Sequence, residues 1–429
     1  MRSSRALCVA LLTTVSGWGC GSESPANTAT GGASTGGLGG VSAGTAGSVA
    51  GNSTTSGGSV AVAGGGSGGA AQPIAGAGAG GAAAGNAGAG MAGASAGGGA
   101  GGAANPHPLI DVLAKFTAAD VPVRGPMEAD PKPRNYDGVV PTRPGKGLAQ
   151  HPMLYIGESY NRILLTNEGK VIWTYDTQGG YELDDVWMLS NGNVLYSHMT
   201  YIEEITPKKD VVWHYDPPAG AEIHTCQPLG LDKVLIGLNQ VPVPKLQVIN
   251  IKTNAIEMEH ALPDGMSTGA HGQLRRMRMT KDGTYLVAWL TKAKVVEYDK
   301  DFNPLHTFAT PQPWSVSRLH NGNTLIMDEN QSTCKELDAQ GNLVWSLKKS
   351  EINVPGAQLG GNTQTCERLS SGNTVMFFHS TPGNLQAVEV TPTKEVVWAL
   401  EDWKNLGDAT SAQFLDEPGI PEVVGATEH

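Results

Sequence analysis

Large apolar side chains are almost missing from the first hundred residues of this 429-residue sequence, and over the whole chain aromatics make up only 6% and charged residues 16%. A segment so poor in burial surface cannot offset the entropy of ordering itself. A length that would suggest two or three domains therefore reduces to one folded mass in the C-terminal two-thirds. Lys and Arg number 29 against 40 Asp and Glu, a net charge of −11, so no basic field exists to hold nucleic acid, and nucleic-acid partners are set aside. The five cysteines show no CxxC or Cys/His spacing, and no metal ligand set is assigned from them. Gly-x-Ser-x-Gly, HExxH and Ca²⁺-loop patterns are also missing, which leaves hydrolase and metalloprotease chemistry without support. Beyond residue 150 no apolar spacing of three and four persists, which excludes a helical fold.

What is present at the N-terminus reads as an export signal. Arg2 and Arg5 precede the apolar run ALCVALLTTV, which is too short to span a bilayer. The segment 1–20 ends in GWGC, and Cys20 followed by Gly21 resembles the lipobox of bacterial lipoproteins, although Gly17 and Trp18 depart from its usual residues. That resemblance implies cleavage before Cys20, lipidation of its thiol and anchoring at the outer membrane or cell surface; the alternative is a periplasmic or secreted protein. Residues 21–104 are almost entirely Gly, Ala, Ser and Thr and are expected to form a disordered tether with a mean span of about 50 Å. A Pro-rich prefix, 105–148, precedes the folded part, 149–429. Cys226, Cys334 and Cys366 are expected to be buried free thiols despite an exported setting that permits disulfides.

The folded part repeats. Turns recur as SNGN at 190, KDGT at 281, HNGN at 320 and SSGN at 370, and aliphatic runs with Trp recur as GKVIWTYD at 169, KDVVWHYD at 209, GNLVWSLKK at 341 and KEVVWALED at 394. Asn-Gly and Asp-Gly between β-branched runs are hairpin signals. Each unit of about 40 residues thus reads as a four-stranded meander, the size of a propeller blade. Five units are complete, and residues 151–176 supply three strands of a sixth. The missing strand is SAQFLDEPG, 411–419. The expected fold is an all-β, six-bladed β-propeller closed by a C-terminal strand that joins the N-terminal blade. Trp173, Trp213, Trp345 and Trp398 end their units as in the tryptophan-docking repeat of quinoprotein (PQQ-like) propellers, which DAQGNLVW at 338–345 resembles; the resemblance implies blade packing and no quinone.

In a propeller the first strand of each blade lines the channel, so equivalent positions form a ring. Counting five residues back from the apolar position of each first strand gives Asp184, His224, Trp314, Gln364 and Thr410. In the 272–310 unit the count gives Gln273 or Leu274, with His271 just before. Such a polar ring with an aromatic member has the makeup of a small-molecule site. One residue before the apolar position stand Arg278, Arg318 and Arg368, with Arg275 and Arg276 close by. They could bind an anion or pair with acids such as Glu367 and Asp328 between blades. A His, Asp and Gln at one mouth could also hold a divalent ion, although nothing in their spacing favours it.

His224, in AEIHTCQPL, is the residue expected to carry chemistry, because imidazole serves as nucleophile or acid/base near neutral pH. Its phase resembles the His-containing first strands of bacterial arylsulfotransferases, six-bladed propellers that pass a sulfuryl group through a channel histidine. Two functions follow. One is binding of a small anionic or carbohydrate ligand, or a protein partner, at the channel mouth. The alternative is sulfuryl transfer through His224. The sequence names no cofactor and no oligomeric state.

Overall fold

The computed structural model describes residues 107–123, 138–157, 162–177, 182–262, 264–265, 269–379 and 382–429. The expected signal, Cys20 and the Gly/Ala-rich tether lie outside them. Among the described residues no helix is long and apolar enough to cross a membrane.

Six four-stranded antiparallel sheets make up the fold. Strands β1 (Met153–Gly157), β2 (Arg162–Asn167) and β3 (Lys170–Asp176) begin the first blade. Blade 2 is β4 (Leu183–Met188), β5 (Val194–His198), β6 (Tyr201–Ile205) and β7 (Val211–Tyr215). Blade 3 is β8 (Glu222–Leu229), β9 (Lys233–Asn239), β10 (Lys245–Asn250) and β11 (Ala255–Ala261). Blade 4 is β12 (Leu274–Met279), β13 (Tyr285–Trp289), β14 (Lys294–Tyr298) and β15 (Pro304–Ala309). Blade 5 is β16 (Pro313–Arg318), β17 (Thr324–Asp328), β18 (Thr333–Leu337) and β19 (Leu343–Lys348), and blade 6 is β20 (Asn362–Arg368), β21 (Thr374–His379), β22 (Ala387–Val390) and β23 (Val396–Leu400). The last strand, β24 (Ser411–Phe414), pairs antiparallel with β1, Met153 opposite Phe414 and Ile156 opposite Ser411. Blade 1 is thus complete only with β24, in the order β24-β1-β2-β3, and the ring has no open edge between its ends.

The tight turns after the first strands form because their glycines take conformations closed to L side chains, Gly192 at φ 92° and Gly322 at φ 86°. The terminal tryptophans dock blade to blade. Trp173 donates its indole N–H to Pro207 O (2.8 Å) in the next blade, Trp213 to Asn254 Oδ1 (2.5 Å), Trp345 to Pro392 O (2.9 Å) and Trp398 to Gly147 O (2.8 Å). Each ring buries apolar area while its one polar atom is satisfied, by the next blade's turn for Trp173, Trp213 and Trp345 and by the prefix for Trp398. The prefix contributes at two further places. A short helix, α1 (Pro108–Val112), packs Leu109 and Val112 with Phe116 onto Trp173 and Val186 of blades 1 and 2. Further along, Pro144 O accepts from Ala399 N on the outer strand of blade 6, where Arg143 Nε donates to Glu401 (2.7 Å).

The cysteines correct one expectation. Cys334 and Cys366 form a disulfide, with Cα atoms 6.2 Å apart. It joins β18 to β20, the third strand of one blade to the first strand of the next, a contact that alignment of equivalent positions cannot reveal. Cys226 is buried and carries no disulfide.

Candidate functional site

The first strands share a defect that builds the site. Leu183 pairs with His198 and Asp185 with Ser197, which leaves Asp184 as an extra residue. In the same way β8 leaves His224 between Ile223 and Thr225, and β16 leaves Trp314 between Pro313 and Ser315. The extra residue of β20 falls at Gln364–Thr365 and that of β12 at Arg275–Arg276. A bulge breaks the pairing and re-aims a side chain. Here it falls at the position that the count from the sequence singled out, so Asp184, His224, Trp314 and Gln364 occupy equivalent places. Thr410, whose N–H bonds Ile156 O, immediately precedes β24.

In blade 4 the residue at this place is Arg275, not Gln273 or Leu274. Thr280 N bonds Thr284 O as Leu189 N bonds Asn193 O and Leu319 N bonds Asn323 O. The anchoring position of this blade is therefore Thr280, and the turn has the same length as the others. Shifting the count by this amount also moves Arg278 out of phase with Arg318 and Arg368.

Four ring members touch in blade order. His224 Nδ1 lies 2.6 Å from Asp184 Oδ2, Arg275 Nη1 lies 3.0 and 2.9 Å from the two ring nitrogens of His224, and the Arg275 guanidinium lies 4.5 Å from the centre of the Trp314 ring. Equal distances to both nitrogens place the guanidinium on the face of the imidazole, so it stacks there and is itself covered by Trp314. His224 is fully buried and Trp314 is 5% exposed.

Two residues before each ring place stands a second set of polar residues, Glu182, Glu222, Gln273, Gln312, Asn362 and Asp408. The carboxylates in it close the cluster. Glu222 Oε2 lies 2.9 Å from both His224 Nε2 and His271 Nδ1. Glu182 Oε2 is 3.2 Å from His224 Nδ1, Glu182 Oε1 is 3.3 Å from His271 Nε2, and Arg275 Nη2 is 2.9 Å from His271 Nε2. Elsewhere on this rim Gln273 donates to Gln240 O, Gln312 to Glu329, and His379 pairs with Asp408 at 2.9 Å. Burial and Arg275 act to lower the His224 pKa, but the bonds to Asp184, Glu182 and Glu222 raise it to about 10. Against the cost of burial, the same histidines hold Glu222 down at about 2. Glu182 is held well below the usual carboxylate range by His224 and Arg275, despite its own burial. Glu182, His224 and His271 bring ligand atoms within 4.8 Å of one another, close enough to hold a metal ion.

The arginines of the channel are engaged. Asp185 accepts from Arg276 (3.0 Å), from both terminal nitrogens of Arg278 (2.7 and 2.8 Å) and from Thr225 (3.0 Å). Arg318 pairs with Glu297 (2.5 Å) and Arg368 with Glu336 (2.8 Å), each on the third strand of the preceding blade. These two are blade-to-blade ties, with partners other than Glu367 or Asp328; Asp328 pairs with Lys335. Glu367 is half-buried in the channel, and desolvation pushes its pKa up to about 8. A cavity of about 120 Å³ enters from the opposite mouth, lined by Arg276, Arg278, Thr365, Glu367 and the segment Glu417–His429 among others.

The chain is a six-bladed β-propeller with a titratable cluster at one mouth of its channel. A protein of unknown function from Bacteroides caccae is similar in structure, with a TM-score of 0.54 and 22% identity over 61% of this chain and 97% of that one. Looser likeness extends to a streptogramin B lyase (TM-score 0.41, 11% identity, 57% of this chain and 85% of that one) and to a virginiamycin B lyase from Staphylococcus aureus (TM-score 0.40, 13% identity, 58% and 85%). No family model and no curated protein matches the sequence.

Proposed function

We propose that the protein is an extracytoplasmic, membrane-tethered propeller that binds a small polar ligand, a carbohydrate before an anion, at the mouth formed by Glu182, Glu222, His271 and Arg275. The observation that carries this reading is the disposition of charge. Arg276, Arg278, Arg318 and Arg368 are bound to Asp185, Glu297 and Glu336, while the mouth offers carboxylates backed by His271, whose side chain is 44% exposed. Carboxylates accept hydrogen bonds from hydroxyl groups and repel anions. The Cys334–Cys366 disulfide fits an exported compartment, in line with the signal-like N-terminus. Sulfuryl transfer is the weaker reading, because His224 is buried, has carboxylates at both ring nitrogens and has its pKa at about 10. An imidazolium has no lone pair for attack.

The test is a glycan-binding screen of the chain and its His271→Ala variant, followed by calorimetry on any hit, beside incubation with an aryl sulfate donor and intact-mass measurement. A sugar bound by the wild type and at least tenfold more weakly by the variant supports the reading. Donor-dependent mass gain that disappears in His224→Ala, with no glycan bound, overturns it in favour of transfer.

A further inference from the structure

We propose that Glu182, His224 and His271 form a binding site for one first-row transition-metal dication of the zinc class, with water completing the coordination. Glu222 fixes the arrangement. Its Oε2 is 2.9 Å from both His224 Nε2 and His271 Nδ1. With Glu222 accepting an N–H from each, a metal ion binds at His224 Nδ1 and His271 Nε2 by displacing the proton that His224 Nδ1 shares with Asp184 Oδ2 (2.6 Å), and a metal-bound histidine is ordinarily oriented in this way through its second nitrogen. His224 Nδ1 and His271 Nε2 both face the Glu182 carboxylate, at 3.2 and 3.3 Å. Ligand atoms about 2.0–2.1 Å from a tetrahedral zinc lie roughly 3.4 Å apart, so these edges need little adjustment. A buried oxygen supplies a further indication: Glu182 Oε2 is met only by His224 Nδ1 at 3.2 Å and Arg275 Nη1 at 3.4 Å and makes no well-formed hydrogen bond, and buried acceptors so poorly satisfied are rare. The nitrogen-rich donor set selects against Mg²⁺ and Ca²⁺, which take oxygen. Arg275 competes for the site, since its Nη2 donates to His271 Nε2 (2.9 Å) and its Nη1 lies 3.4 Å from Glu182 Oε2. A metal ion must displace that contact, with the guanidinium remaining on Trp314.

The site shares Glu182 and His271 with the mouth proposed for sugar and is tested with metal alone. The full chain, stripped with chelator, is titrated with Zn²⁺ by calorimetry and with Co²⁺ by visible absorption. The expected result is one ion per chain and the intense d–d bands of a four-coordinate cobalt site. His271→Ala and Glu182→Gln should each weaken binding at least tenfold, and exposed His306→Ala should leave it unchanged. Arg275→Gln should strengthen it several-fold, because a competing cation is removed; a cluster with a purely structural role would not respond in that way. Failure to bind one equivalent, or binding that His271→Ala and Glu182→Gln leave unaltered while circular dichroism shows both variants folded, overturns the proposal. Neither result depends on whether a glycan binds.

Discussion

Arg275 lies with its guanidinium 4.5 Å from the ring centre of Trp314, the residue that holds the equivalent bulge place one blade further round the channel. The contact joins blades 4 and 5 at the mouth and completes the succession Asp184, His224, Arg275, Trp314. Positioning at the mouth therefore comes from neighbouring blades holding one another's bulged residues, and each link can be cut separately.

Trp314→Leu removes the face on which Arg275 rests and leaves space behind it. A loss of about 2–4 kcal/mol is expected from cavity formation and the lost cation–π contact. Denaturant unfolding of the variant measures it, and an unchanged midpoint would mean that the stack contributes nothing.

Asp185 is 2% exposed and is the carboxylate that both Arg276 and Arg278 share. Asp185→Asn keeps the shape and deletes the charge, which leaves two cations facing each other in the channel. Destabilisation of about 3–5 kcal/mol is expected. A double-mutant cycle with Arg278→Met should return a coupling of more than about 1 kcal/mol.

Replacing Cys334 and Cys366 together by Ala releases a closed loop with a sequence separation of 32 residues. Loop entropy puts the cost at about 3–4 kcal/mol. Reduction of the wild type should lower its thermal midpoint toward that of the variant, and a midpoint that ignores reductant would show that the bond is not formed in solution.

His151 stands between Asp416 at 2.8 Å and Glu389 at 3.2 Å. Burial lowers its pKa, but the two carboxylates raise it to about 9 from 6.5. Because the folded state holds the proton more tightly than the unfolded state, this stabilisation is complete below about pH 6.5 and is lost as pH rises through 9. It amounts to a change on the order of 3 kcal/mol. Unfolding free energies measured from pH 6 to 10 should fall more steeply for the wild type than for His151→Gln, and parallel curves would refute the assignment.

Blade number and closure were legible because hairpin turns and terminal tryptophans recur locally, and because a ring with three strands at one end requires a fourth from the other. Asp184, His224, Trp314 and Gln364 could be aligned by counting from Leu189, Leu229, Leu319 and Leu369. Arg275 escaped the count because Thr280 stands where the other blades carry leucine and Met279 beside it imitates the anchor. Glu182 and Glu222 were also missed, although one further step of the strand period from Asp184 and His224 leads to them. The links between blades, Cys334 to Cys366 and Arg318 to Glu297, depend on which strand faces which across an interface. No local pattern encodes that, so the arginines read equally as anion ligands and as partners of acids such as Glu367 and Asp328, and the acids that hold Arg318 and Arg368, Glu297 and Glu336, were not the ones named.

The pairing of β1 with β24 also has a consequence in time. Ribosomal synthesis runs at about 5–20 residues per second, so some tens of seconds separate the appearance of Gly157 from that of Ser411. For that interval the Met153–Ile156 edge has no native neighbour. Unpaired edges recruit other strands, so nascent chains crowded on one messenger are expected to need protection until the last strand arrives.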